Sequence, residues 1–144
     1  MTEARQIMHT GATCISEHDT LTTAAQRMRE LDVGALPICG DDDRLHGIIT
    51  DRDIVIKCVA AGADPSTMTA AELAQGHTYH VEAEASVEEV LTIMEEHQVR
   101  RLPVLDEHRL VGMISEADIA RHLPEHAVGT FVEAICAQKA LPSR

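Results

Sequence analysis

The stretch LTTAAQRMRELDVGALPI, residues 21–38, aligns without a gap with VEEVLTIMEEHQVRRLPV, residues 87–104, at a constant offset of 66 residues. After a turn one residue shorter in the second copy, RLHGIITDRDIV (44–55) aligns with RLVGMISEADIA (109–120). Repetition at a fixed period means that one supersecondary unit occurs twice. A unit this small cannot bury both faces of a sheet alone, so the two copies are expected to pack their sheets against each other.

Within each copy the residue pattern predicts the elements. Leu21, Ala24, Ala25, Met28 and Leu31 recur at helical spacing, as do Val87, Val90, Leu91 and Met94, and such stripes are the buried faces of amphipathic helices. Thr20 is placed to cap the first helix, and Ser86 followed by Glu89 fits a capping box on the second. Apolar runs at 35–39 and 102–105 are each followed by a polar turn and a second run, at 45–49 and 110–114, which reads as a hairpin. Pro37 and Pro103 argue for a strand beginning or an edge in those runs. A last helix in each half starts near Asp51 and Glu116 and ends at Gly62 and Pro124.

With leading strands at 13–16 and 78–81, each half becomes strand, helix, strand, strand, helix. The expected fold class is therefore α/β (α+β), two βαββα motifs packed sheet to sheet as one module. The expected boundaries are 1–62 for the first motif, 63–76 for a linker with a short helix at 69–74, 77–124 for the second motif, and 125–144 for a tail with a helix at 128–139.

Composition narrows the function. The chain has 144 residues and a formal charge of -12, which opposes nucleic acid and anionic membranes because binding to phosphate surfaces needs clustered Lys and Arg. Tyr79 and Phe131 are its two aromatic residues, so base stacking on aromatic platforms is not expected. No apolar run approaches a bilayer span, and Glu3 and Arg5 stand where a signal peptide would carry a basic cluster and an apolar stretch. The expected location is the cytoplasm. There is no G-x-S-x-G elbow, Walker loop or H-E-x-x-H, and no recognisable Ser, His and Asp set, so the chain is not expected to be an enzyme.

Two motifs resemble the CBS family (cystathionine beta-synthase motif): LPI at 36–38 with GIITDRD at 47–53, and LPV at 102–104 with GMISEAD at 112–118. The resemblance covers both halves. It implies a regulatory pair of motifs with clefts between them that take AMP, ADP, ATP or a related adenosyl ligand, and homodimers in which four motifs form a disc. In family terms Thr50 and Ser115 are the phosphate-side hydroxyls, and Asp53 and Asp118 the ribose carboxylates.

The local chemistry agrees, since a hydroxyl and free N–H groups at a helix start can meet phosphate oxygens. Ile38 and Val104 are candidates to cover an adenine face, with backbone amides near 13–15 and 78–80 reading its polar edge. Arg52, Lys57, Arg100, Arg101 and Arg121 are candidate phosphate partners. The plainer reading is that both Thr/Ser and Asp pairs only cap helices, and that the arginines are solvated ends. Asp51 and Glu116 beside the hydroxyls oppose a phosphate.

Cys14 and Cys39 lie on the leading strand and the strand after the first helix, which the topology makes neighbours. A disulfide there competes with two reduced, buried thiols, the ordinary state of cytoplasmic cysteines. Cys58 reads as helix packing. His122 and His126 have the spacing that puts two imidazoles on one helix face, with Glu125 or His97 to complete a zinc site, although Pro124 between them weakens that helix. The function expected first is a stand-alone sensor of an adenosyl ligand. The alternative is a non-enzymatic, stress-related structural or interaction dimer whose clefts no longer bind nucleotide, stabilised by disulfide or metal.

Overall fold

A computed structural model describes residues 2–10, 13–42, 44–74 and 79–136. In chain order its elements are α1 (Ala4–Ile7), β1 (Ile15–Ser16), α2 (Leu21–Leu31), β2 (Ala35–Cys39), β3 (Leu45–Thr50) and α3 (Asp51–Ile54), which continues as a π-helical stretch over Val55–Val59. Then follow α4 (Ala70–Leu73), β4 (Val81–Glu82), α5 (Val87–His97), β5 (Arg101–Asp106), β6 (Arg109–Ser115), α6 (Glu116–His122) and α7 (Glu125–Cys136). The fold is mixed α/β, with two three-stranded sheets ordered β1-β2-β3 and β4-β5-β6.

The described residues form two compact units. The first-motif unit holds residues 13–42, 44–74 and 108–110; the second-motif unit holds 2–10, 79–107 and 111–136. Each has its own apolar core, built around Leu21, Met28, Ile38 and Ile49 in one and Val87, Met94, Val104 and Phe131 in the other. Apart from Phe131 on α7, these are the helical stripes and strand runs of the repeat, buried because an amphipathic face gains roughly 25 cal/mol for each Å² of apolar surface removed from water.

In the first-motif unit β1 runs parallel to β2, with Ile15 opposite Ile38, and β2 is antiparallel to β3, with Ala35 opposite Thr50. The register shifts where Cys39 faces Leu45 after Ile38 has faced Gly47, so His46 is the extra residue of a β-bulge. Helix α2 is capped by the Thr20 hydroxyl, which accepts from the Thr23 N–H. Pro37 corrects the expectation of an edge position, because β2 is the central strand. The sheet tolerates it because β1 pairs only with Ile38 and Cys39, so no ladder bond is asked of residue 37 on that side.

In the second-motif unit β4 is parallel to β5, with Val81 opposite Val104. The β5–β6 turn places Glu107 and His108 at φ of 50° and 71°, the positive angles that a two-residue hairpin turn requires. The Ser86 hydroxyl accepts from the Glu89 N–H at the start of α5. Helix α7 begins at Glu125, earlier than the expected 128, because Pro124 sits ahead of its first turn, where a missing N–H costs nothing, and its carbonyl accepts from Val128. Residues 137–139 of the expected tail helix lie outside the described residues.

Residues 2–10, which sequence reading groups with the first motif, pack instead in the second-motif unit. The Ala4 N–H donates to Ala85 O at 2.7 Å and the Arg5 N–H to Ala83 O at 3.0 Å. Further on, His9 and Met113 exchange main-chain bonds of 2.9 and 3.1 Å. Gly112 permits this approach: a Cβ there would fall 2.5 Å from Met8 Sδ and 2.8 Å from His9 O. Hydrophobic periodicity cannot reveal such a pairing, since it is set by backbone bonds and one missing side chain.

Candidate functional site

Both motif turns fold for the same local reason. At the end of β3, Thr50 is the N-cap of α3: its hydroxyl accepts from the Asp53 N–H at 3.0 Å while its own N–H donates to Asp53 Oδ2 at 3.0 Å. At the end of β6, the Ser115 N–H donates to Asp118 Oδ2 at 2.9 Å and the Ser115 hydroxyl accepts from the Asp118 N–H at 3.4 Å. These are capping boxes, with Asp in the place usually taken by Glu or Gln. The hydroxyl and carboxylate pairs thus serve as helix starts, whatever else they do.

Their surroundings differ. The Asp53 side chain is 26% exposed, and beyond Thr50 it has Lys57 Nζ at 3.4 Å. Asp118 is 1% exposed. Its Oδ2 also takes a hydrogen bond from the Ser115 hydroxyl at 3.0 Å and lies 2.7 Å from His9 Nδ1, and its Oδ1 accepts from the Arg121 guanidinium. Burial pushes the Asp118 carboxyl up, but the hydrogen bonds from His9 and Ser115, with the nearby His9 charge, outweigh it and hold the group below the ordinary carboxylate value. A ribose diol reaching this carboxylate would have to displace a side chain.

The other candidates separate. Ile38 and Val104 are each 0% exposed. As core residues each contributes about 1.5–3 kcal/mol, and neither presents a face to a base. Arg52 and Arg101 are exposed, as expected of solvated ends. Arg100 is paired with Glu116 Oε1 at 2.6 Å, which holds its guanidinium above the usual arginine value. Thr78, a proposed reader of the adenine edge, lies outside the described residues.

Cys14 and Cys39 are joined as a disulfide with Cα atoms 5.6 Å apart, and Cys58 is free and buried. The parallel pairing of β1 with β2 puts Ser16 opposite Cys39 and so carries Cys14 within disulfide reach, and the structure has the bonded form of the pair. His122 and His126 do not share a helix face. Helix α6 stops at His122, Leu123 is extended at φ -116° and ψ 154°, and His126 belongs to α7. The chain breaks there because Pro124 disfavours helical backbone at the residue before it. His122 Nδ1 instead lies 2.9 Å from Asp118 O.

Among the described residues, a different group brings metal-ligating atoms together: Glu17, His18 and Asp41, whose ligand atoms all lie within 4.8 Å of one another. His18 Nε2 is 3.6 Å from Glu17 Oε1 and 3.8 Å from Asp41 Oδ2, and His46 Nδ1 is 2.9 Å from Glu17 Oε2. One imidazole and two carboxylates are a donor set that suits zinc. Sequence reading missed these residues because they come from the ends of two strands and from a bulge, with no fixed spacing to betray them.

With this geometry in view, the comparisons identify the class. The CBS domain pattern matches residues 4–59 and 70–125, and the chain belongs to the CBS-domain family, whose domains are generally regulatory or ligand-binding modules.

At the level of particular proteins, the chain is 68% identical over 143 residues to hypoxic response protein 1 of Mycobacterium tuberculosis, covering 99% of this chain and 100% of that protein. A crystal structure of hypoxic response protein I with two coordinated zinc ions is 69% identical, with a TM-score of 0.78 over 85% of this chain and 100% of that one. A hexameric CBS-CP12 protein from bloom-forming cyanobacteria is 31% identical, with a TM-score of 0.74 over 85% of this chain and 71% of that one. No helix among the described residues is long and apolar enough to cross a membrane.

Proposed function

We propose that this chain is a CBS-pair interaction module of the hypoxic stress response that acts in the cytoplasm as a homodimer, takes no adenosyl ligand at either motif, and is stabilised by its disulfide and by zinc. The observation that carries this reading is Asp118, buried and already bonded to Ser115, His9 and Arg121. A carboxylate so occupied contributes to stability and cannot also accept a ribose diol without breaking charge-assisted bonds worth about 1.5–3 kcal/mol each. The zinc part is supported by the donor set at Glu17, His18 and Asp41 and by the two zinc ions of the similar crystal structure. Val55, Ile56 and Val59 are each about half exposed, which is apolar area that a second copy would cover.

A second reading has an observation of its own. Asp53 is accessible and keeps Lys57 nearby as a cation for phosphate, so one adenosyl ligand per chain, at Thr50 and Asp53 alone, is the sensor form of the same protein. Isothermal titration of the untagged chain with AMP, ADP and ATP, and separately with zinc, distinguishes them. The interaction module predicts zinc binding with no nucleotide heat, and the sensor predicts one nucleotide per chain. Two nucleotides per chain would overturn both, because that requires Asp118. Light scattering at a concentration series checks the dimer.

A further inference from the structure

We propose that Glu17, His18 and Asp41 are the protein ligands of one divalent cation in the first-motif unit, that His46 positions Glu17 for it, and that the Cys14–Cys39 disulfide holds the two ligand-bearing strand ends together. This rests on the zinc part of the proposed function and adds the site, its outer partner and its tether.

The geometry starts with the strands. Glu17 and His18 directly follow β1, and Asp41 lies two residues beyond the end of β2. The two segments are parallel neighbours, and the Glu17 N–H donates to Cys39 O at 3.2 Å. The disulfide links Cys14 to Cys39 just before both segments leave the sheet. A single ion with metal–ligand distances of about 2.1 Å and tetrahedral angles needs its ligand atoms on the order of 3.4 Å apart. The observed 3.6 and 3.8 Å from His18 Nε2 to Glu17 Oε1 and Asp41 Oδ2 are close to that. His18 and Asp41 are exposed and Glu17 is half-buried, so water can fill the remaining coordination position.

His46 supplies an independent observation. As the extra residue of the bulge it is turned out of the regular ladder, and its ring is hydrogen-bonded through Nδ1 to Glu17 Oε2 at 2.9 Å, with Nε2 3.5 Å from Asp42 Oδ1. The ring lies over Gly40, where a Cβ would fall 2.3 Å from His46 Cε1. Gly40 thus leaves room for an imidazole that engages one oxygen of Glu17 and leaves the other, Oε1, facing His18. This is the carboxylate–imidazole arrangement that orients a metal ligand from outside the coordination shell. At the positions equivalent to Glu17, His18 and His46 the other repeat has Ala83, Glu84 and Val111, so the set belongs to the first motif alone.

The test uses the full, untagged chain with its disulfide intact, titrated with zinc against a chromophoric chelator and with cobalt for its visible spectrum, folding being followed by circular dichroism. The double variant Glu17→Gln with His18→Ala is expected to lose one zinc per chain while keeping its fold. His46→Gln is expected to keep the stoichiometry but bind about tenfold more weakly, as loss of an outer partner does. The double variant Cys14→Ser with Cys39→Ser, which can neither bond nor offer thiolate, is expected to weaken zinc by a similar factor. If that pair fails to fold, Gly40→Ala tests the positioning of His46 with the disulfide in place and is expected to mimic His46→Gln.

If the wild type binds zinc and Glu17→Gln with His18→Ala binds it equally, the site is overturned while the zinc reading stands. If the wild type binds no zinc, the zinc reading itself fails. Unchanged affinity in the folded serine pair overturns the tether, and unchanged affinity in His46→Gln overturns the positioning role.

Discussion

The first and second motif turns carry the same box, Thr50 with Asp53 and Ser115 with Asp118, yet one carboxylate is accessible and the other is sealed. The difference lies in what reaches each turn from elsewhere in the chain. In the second-motif unit residues 2–10 bond to Ala83, Ala85 and Val87 and, at His9, to Met113 of β6, which brings His9 onto Asp118. The first-motif unit is secured differently, by a covalent link between β1 and β2; the equivalent positions of the second repeat are His80 and Leu105, which cannot bond. One unit is therefore stapled by sulfur and the other strapped by a segment whose key contact is the hydrogen bond between His9 and Asp118. Two copies of one motif have become two different physical objects without changing fold.

The largest expected effect breaks the covalent half. Cys14→Ser with Cys39→Ser should lower stability by about 3 kcal/mol in urea denaturation, since the bond closes a loop with a sequence separation of 25. A loss below about 1 kcal/mol would mean that the strand pairing alone secures this unit.

Next, Asp118→Ala should cost about 2–3 kcal/mol against about 1 kcal/mol for Asp53→Ala, because the first strands His9, Arg121 and the Ser115 N–H while the second removes chiefly a cap partner. Equal urea midpoints for these two variants would erase the distinction between the turns.

A third expectation concerns pH. The folded Asp118 carboxyl lies below its ordinary value, so its contribution is fully present above the unfolded pKa of about 3.9 and is lost as pH falls through the folded value. His9→Ala removes the leading hydrogen bond behind that depression, so it should lower stability by about 1 kcal/mol at pH 7 and shrink the further loss between pH 5 and pH 2. Urea midpoints across that range check it; identical acid profiles would show that His9 does not act through Asp118. The smallest effect is expected from Arg100→Ala, an exposed pair with Glu116 whose removal should change stability by less than about 1 kcal/mol.

Much of the fold was legible because it is repeated. Helical stripes at Leu21, Met28, Val87 and Met94 and the turns at 50–53 and 115–118 say the same thing twice, so each supports the other. The disulfide was half legible: topology put Cys14 beside Cys39, and only the structure chose the bonded state. Pro37 misled because its local meaning, an edge, ignores that β1 begins one residue too late to need its N–H. The His122 and His126 pair failed at Leu123, where the helix breaks. The candidate adenine cover, Ile38 and Val104, was read from position alone, and burial turned both into core.

By itself the sequence determined the family, the two units and the capping chemistry of both motif turns, because these depend on residue types at short, fixed spacings. Tertiary structure decided which carboxylate is accessible and which atoms could share a metal ion. Asp118 is closed by a histidine 109 residues away in the chain, and Glu17, His18 and Asp41 meet across two strand ends. Contacts of that kind are set by backbone pairing, a bulge and the space beside Gly40 and Gly112, none of which leaves a period in the sequence.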